Sequence, residues 1–183
     1  MSKVMVVLAD GFEEIEALAV VDILRRAEID TDTVALKAGL VTSARNIRIE
    51  ADRLISDVKP EDYEMIVLPG GGVGAKNIGD SEVVLNIVKQ YLAAPEKFVA
   101  AICATPFVLA EKGVIKDVMA TCYPSMAEAF AKYCDYQLAE VVVDENLITS
   151  RGPATAAEFA FTLVELLKDE ETARRLREGM LYA

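Results

Sequence analysis

Three nearly continuous apolar runs constrain the fold of this chain more than any other feature. They are residues 3–9 (KVMVVLA), Met65–Leu68 (MIVL) and Phe98–Ile102 (FVAAI). A strand with one wet face would alternate apolar and polar residues. Short unbroken runs instead mark strands covered on both faces, the pattern of a parallel sheet. Residues 31–36 (TDTVAL) read as a weaker strand. Helical stretches lie between. Residues 13–27 carry acidic residues in the first turn and Arg25 and Arg26 in the last, matching the helix dipole. Residues 81–94 begin with Ser81 and repeat Val84, Leu85, Val88, Leu92. Residues 105–112 open with Thr105-Pro106, read as an N-cap and a first-turn proline, and close before Gly113. Residues 154–167 carry the stripe Phe159, Leu163, Leu166, Leu167, and 169–178 read as a charged terminal helix. Hairpins are expected at 41–51, turning at Arg45-Asn46, and at 140–150, turning at Asp-Glu-Asn. The 183 residues suit one domain, 1–183. Alternating strands and helices imply right-handed crossovers, hence a doubly wound α/β sandwich with helices on both faces.

Composition removes whole classes of chemistry. The chain has no histidine. That excludes Ser-His-Asp and Cys-His triads, HExxH zinc sites and Cys2His2 fingers, and leaves proton transfer to carboxyl, thiol, phenol or water. No bound metal or cofactor is expected. Acidic residues outnumber basic ones, 30 against 19, for a net charge of −11. Such a surface repels phosphate backbones, so neither nucleic acid nor an anionic membrane is an expected partner. No stretch approaches the roughly 18 apolar residues of a membrane span, and MSKVMVVLA is too short for a signal peptide. Three cysteines form no disulfide framework and suit a reducing, cytoplasmic location.

In a doubly wound sheet, ligands bind beyond the carboxyl ends of the strands. After FVAAI stands Cys103-Ala104-Thr105-Pro106, a strand, one tight turn and a helix start. A thiol at that corner faces free N–H groups and should ionise more easily than usual. The arrangement is like the nucleophile elbow of α/β hydrolases with sulfur for oxygen. The plain alternative is a small buried cysteine. Cys122 and Cys134 lack this context.

After MIVL comes Pro69-Gly70-Gly71-Gly72-Val73-Gly74-Ala75. The run fits a dinucleotide fingerprint, but no acidic residue ends the next strand to hold a ribose, and no GK[ST] follows. An oxyanion hole from the Gly71 and Ala104 N–H groups is the better use, and a simple tight turn the alternative. After the first strand, Glu13, Glu14 and Glu16 open a helix and cannot all face one way. Glu16 could point into the cleft, where a carboxyl beside a thiolate would keep its proton. The alternative is compensation of the dipole.

These pieces together resemble the ThiJ/PfpI superfamily and, within it, the branch of the Parkinson-disease protein deglycase. The matching segments are LADGFEEIEAL (8–18), VDILRRA (21–27), LPGGGVGAKN (68–77), AAICATP (100–106) and SRGPATAAEFA (150–160). The resemblance implies a flavodoxin-like sandwich, a homodimer and a cytoplasmic protein. It implies Cys103 as the reactive cysteine, Glu16 as its protonated partner, and Gly71 and Ala104 at an oxyanion pocket. It brings Gly70, Tyr123 and Pro153 to substrate or anion binding, and Arg26 and Arg45 near the pocket and dimer interface. The branch is credited with cofactor-free glyoxalase and deglycase chemistry on small carbonyls, with oxidation sensing and with chaperone action. Tyr123 stands where the branch often has a histidine, and Ala104 follows the cysteine where the superfamily's peptidases have one. Two functions are expected: conversion of a 2-oxoaldehyde to a hydroxy acid, or oxidation sensing at Cys103 without turnover.

Overall fold

The apolar runs become the middle of one seven-stranded sheet. The computed structural model describes residues 3–182; Met1, Ser2 and Ala183, the ends of the domain read from sequence, lie outside the described residues. The strands are β1 (Lys3–Leu8), β2 (Asp30–Ala35), β5 (Arg53–Leu54), β6 (Met65–Leu68), β7 (Phe98–Ile102), β10 (Val141–Asp144) and β11 (Leu147–Ser150). Their order is β10-β11-β7-β6-β1-β2-β5, and every pair is parallel except β10 with β11. Four parallel neighbours therefore end side by side at one carboxyl edge: β11, β7, β6 and β1. The architecture is flavodoxin-like α/β.

Alternate side chains of each strand serve opposite faces. Val4, Val6 and Leu8 meet α1 (Glu14–Arg26) through Val20 and Leu24, and α6 (Ala156–Leu167) through Phe159 and Leu163. Met5, Val7, Ile66 and Leu68 face the other way, with Val84 and Val88 of α3 (Glu82–Leu92) and Leu109 of α4 (Thr105–Glu111). Both faces are dry, which is why these strands read as unbroken apolar runs. The terminal helix α7 (Glu170–Gly179) packs on α6, and Arg177 clamps Glu158 there. Ser81 and Asp169 cap α3 and α7 with their side chains.

Both hairpins form. β3 (Val41–Thr42) and β4 (Arg48–Ile49) pair antiparallel, and Asn46 supplies the left-handed turn residue with φ 64°. The second hairpin is β10–β11, which also adds the antiparallel edge to the sheet. α2 (Gly72–Gly79) begins inside the glycine run. Glycine is a poor helix former, but Ala75 and Ile78 are fully buried there, and packing overrides propensity. Thr105 is not the N-cap of α4. Ala104 holds that position, and the Thr105 hydroxyl donates instead to the Pro69 carbonyl at 2.7 Å. β8 (Met119–Ala120), β9 (Asp135–Tyr136) and the one-turn helix α5 (Ala127–Phe130) are too short for periodicity to reveal. Among the described residues no helix is long and apolar enough to cross a membrane.

Candidate functional site: a thiol and a carboxyl at the carboxyl edge

Cys103 follows β7 directly and adopts φ 66°, the left-handed region that a side chain disfavours. Such strain costs roughly 1–3 kcal/mol and persists only when neighbours impose it. Here they do. The Cys103 N–H donates to the Ser150 carbonyl of β11, and the Cys103 carbonyl accepts from the Tyr123 N–H, both at 2.9 Å. Held this way, the sulfur turns back toward the strand ends, and the N–H groups of Gly71 and Ala104 point at it. Cys103 as a residue keeps 9% of its surface exposed.

The three glutamates of α1 divide their work by angle. Glu13 caps the helix, its carboxylate accepting from the Glu16 N–H at 2.8 Å. Glu14 turns to the β3–β4 hairpin and accepts from the Ser43 hydroxyl and the Arg45 N–H, each at 2.6 Å. Burial disfavours its charge, but those hydrogen bonds outweigh burial and hold it below the ordinary carboxylate range. Glu16, fully buried, faces Cys103. Its Oε2 accepts from the Gly70 N–H at 2.7 Å, and its Oε1 is buried without a hydrogen-bond partner.

Burial pushes Glu16 up to about 7, against hydrogen bonds from Cys103 and the Gly70 N–H that favour its charge. Cys103 is pushed up to about 12, first by burial, then by the charge of Glu16 and by donating its hydrogen to that carboxylate. The Gly71 and Ala104 N–H groups oppose this and lose. The expectation that the corner alone makes the thiol acidic is therefore corrected. α4 has only seven residues, and a dry setting outweighs two amide dipoles. The two groups titrate as one pair. The first proton leaves near 7. The second is held into strongly alkaline solution, because two negative charges in contact are disfavoured. Well below 7 the pair holds both protons, and above 7 it carries one negative charge and one proton.

Gly70 and Gly71 are glycines for steric reasons. A Cβ on Gly70 would stand 2.5 Å from Glu16 Oε2 and 2.6 Å from Cys103 Cβ, so any side chain there would fill the space where the pair meets. Gly71 has φ 89°, and a Cβ there would run into the Gly11 carbonyl. The glycine run thus packs against the 11–13 turn and against Glu16 and Cys103. Among the described residues no group of three Cys, Asp or Glu side chains comes together to hold a metal ion.

Tyr123 and Pro153 line one hollow of about 220 Å3 with Arg151 and Gly152. Arg26 and Arg45 do not join them within the chain. α1 runs back from the carboxyl edge, so Arg26, ten residues after Glu16, lies about 15 Å further along the helix. It pairs there with Asp22. The Arg45 side chain is exposed and donates to the Ala44 carbonyl. Arg151 and Gly152 are not among the site residues the sequence singles out, and Thr105 stands there only as a helix cap. Scanning the residue after each strand reaches Arg151, which follows the second strand of the 140–150 hairpin.

A parallel sheet with a strained cysteine at its carboxyl edge, facing a buried glutamate from the first helix, defines a cysteine-centred flavodoxin-like protein. The chain belongs to the DJ-1/PfpI family, whose family model matches residues 2–166. It is 38% identical to Protein dj-1beta of Drosophila melanogaster over 186 residues, 100% of this chain and 99% of that protein. The crystal structure of Drosophila melanogaster DJ-1beta superimposes with a TM-score of 0.95 at 38% identity, covering 100% of both chains. The chain is also 34% identical to the Glutathione-independent glyoxalase DJ-1 of Schizosaccharomyces pombe, across 93% of this chain and 94% of that one. It is 39% identical to Protein DJ-1 homolog B of Arabidopsis thaliana, matching 98% of this chain but spanning only 41% of that longer protein.

Proposed function

We propose that this chain converts small 2-oxoaldehydes to 2-hydroxy acids without a cofactor, as a glyoxalase- or deglycase-like enzyme. The observation that carries the reading is the buried Glu16 carboxyl facing Cys103, with the Gly71 and Ala104 N–H groups turned to the sulfur. As sulfur attacks the aldehyde carbon, its proton passes to the Glu16 carboxylate. The new oxyanion meets the Gly71 and Ala104 N–H groups, each such donor contributing about 3 kcal/mol in comparable sites. Glu16 passes the thiol's proton to the ketone oxygen, and the carboxylate so freed takes the proton of the aldehyde carbon and delivers it to the ketone carbon as the oxyanion closes to the thioester carbonyl. Water breaks the C–S bond of the resulting thioester and restores the thiol. The sum is 2-oxoaldehyde plus water giving 2-hydroxy acid. One carbon is oxidised and its neighbour reduced, so no outside electron carrier is needed. The glyoxalase among the relatives supports this reading. The test is lactate formation from methylglyoxal without glutathione, and its loss in Cys103→Ser. A wild-type protein that makes no lactate sinks the proposal.

The same geometry favours a second reading, in which Cys103 is an oxidation sensor. Its thiolate reduces two equivalents of peroxide to water and becomes a sulfinate, with the Glu16 proton donated to a sulfinate oxygen. Intact mass after mild peroxide should rise by two oxygens in wild type and not in Cys103→Ala. Oxidation at Cys122 instead would count against it.

Three free cysteines and a net charge of −11 support a cytoplasmic protein that avoids nucleic acid and membranes. A homodimer is supported by Ile15 and Leu18, exposed on α1, and by Ile47, exposed on the hairpin that Glu14 holds beside it. Sedimentation of wild type against Leu18→Glu checks this, with a shift to monomer expected in the variant.

A further inference from the structure

Not every charged group near the site is explained by the pair. Arg151-Gly152-Pro153 leaves the carboxyl end of β11 and walls the hollow shared with Tyr123 and Pro124. Gly152 also joins that hollow to the reactive pair. A methyl group on it would stand 3.3 Å from the Tyr123 ring and 4.0 Å from Glu16 Oε1, the carboxyl oxygen without a partner. The hollow and the pair share a wall.

Arg151 is half-buried, and its Nε is closed off from solvent without a hydrogen-bond partner. The contrast with Arg177, also half-buried, is direct: Arg177 is clamped by Glu158 through both terminal nitrogens. Among the described residues no ion pair joins Arg151 to a carboxylate, in a chain where 30 acidic residues face 19 basic ones. Its charge opposes the upward push of burial on the Cys122 thiol, one residue before Tyr123. A guanidinium is a planar fork of donors that fits a carboxylate through two parallel hydrogen bonds, and a buried donor left unpaired is unfavourable. A ligand carboxylate would satisfy it.

We propose that Arg151 is the anion-recognising residue of this hollow, and that the site prefers 2-oxoaldehydes whose far end is a carboxylate over neutral methylglyoxal. The substrate class rests on the reaction proposed above, whereas the anion subsite does not. With such a substrate the reaction balances as before: water is added, the aldehyde carbon ends as a carboxylate, the ketone carbon as an alcohol, and one proton is released. The far carboxylate stays on Arg151 and takes no part in bond changes.

Two measurements test this. Steady-state kcat/KM for dioxovalerate, a 2-oxoaldehyde with a terminal carboxylate, is compared with that for methylglyoxal. Wild type should favour dioxovalerate by about tenfold or more, the worth of one charge-assisted fork. Arg151→Gln should erase the preference, and Arg151→Lys, which keeps the charge but not the fork, should restore part of it. Equal losses on both substrates would make Arg151 a structural residue and overturn the proposal. The second measurement needs no turnover: lactate and lactamide are titrated against Cys103→Ala while the backbone amide signals of Gly152 and Thr155 are followed. Lactate should bind about tenfold tighter than its amide, and Arg151→Gln in that background should abolish the difference. Equal binding of acid and amide would refute the anion subsite. Arg151-dependent lactate binding in a protein that turns over neither aldehyde would keep the subsite and remove the enzyme reading.

Discussion

Cys103 and Cys122 are both buried thiols, and burial pushes both up to about 12. By that measure they are the same. Their surroundings are not. Cys122 is fully enclosed, its neighbours in titration are Cys134 and Arg151, and its own backbone is unstrained. Cys103 is strained, slightly exposed, and touches a carboxyl that can take its proton. A raised thiol pKa therefore neither marks nor excludes a reactive cysteine. What matters is whether a second group stands ready to accept the proton as the sulfur attacks.

The sharpest way to break this comparison is to remove each sulfur. Cys103→Ala should lower lactate formation by about a thousandfold or more, the usual size of losing a nucleophile. Cys122→Ala should leave it within about threefold and lower stability by about 1 kcal/mol through lost packing. Equal effects on turnover would erase the distinction. Next in size is Gly70→Ala. Its methyl would occupy the space where Glu16 and Cys103 meet, so turnover should drop about a hundredfold, as misplaced groups cost in other sites. Unfolding should show a loss of about 1–3 kcal/mol from overpacking. Full activity in that variant would mean the contact is not needed.

Glu16→Gln sharpens the comparison through pH. In the unfolded chain the carboxyl ionises at its ordinary 4.5, and in the fold not until about 7. Between those values the unfolded chain has released a proton that the fold still holds. Stability therefore falls as pH rises, and above 7 the cost levels off at about 3 kcal/mol. Denaturant unfolding should show wild type gaining on Glu16→Gln as pH is lowered from 8 to 4.5. A difference that ignores pH would show Glu16 ionising normally in the fold. The smallest effect belongs to Thr105→Val. It removes the hydroxyl that ties α4 to the Pro69 carbonyl, so melting should report a loss of about 1–2 kcal/mol and turnover a change of only a few-fold.

Much of this was legible in the sequence. The buried strands showed as unbroken apolar runs, and the strand-turn-helix at Cys103 marked its corner. Glu16 was singled out because three glutamates in one turn cannot share a direction. The Arg151 hollow was not legible, since it forms only where β11, parallel to β7, brings its end beside the 121–124 segment. Within the chain Arg26 stands away from the pair, because it follows Glu16 by nearly three turns of the same helix. The helical start in the glycine run was hidden because propensity opposed it and buried packing decided it.

The sequence by itself determined the two-sided burial of the strands and the identity of the groups that meet. Hydrophobic pattern and residue chemistry are local properties, written one position at a time. Only the tertiary structure decided the strain at Cys103, which Ser150 and Tyr123 impose from distant parts of the chain. It also decided that the Glu16 carboxyl lies buried against the Cys103 sulfur. Charge in a dry site depends on every neighbour that folding gathers there, and no single residue carries that information.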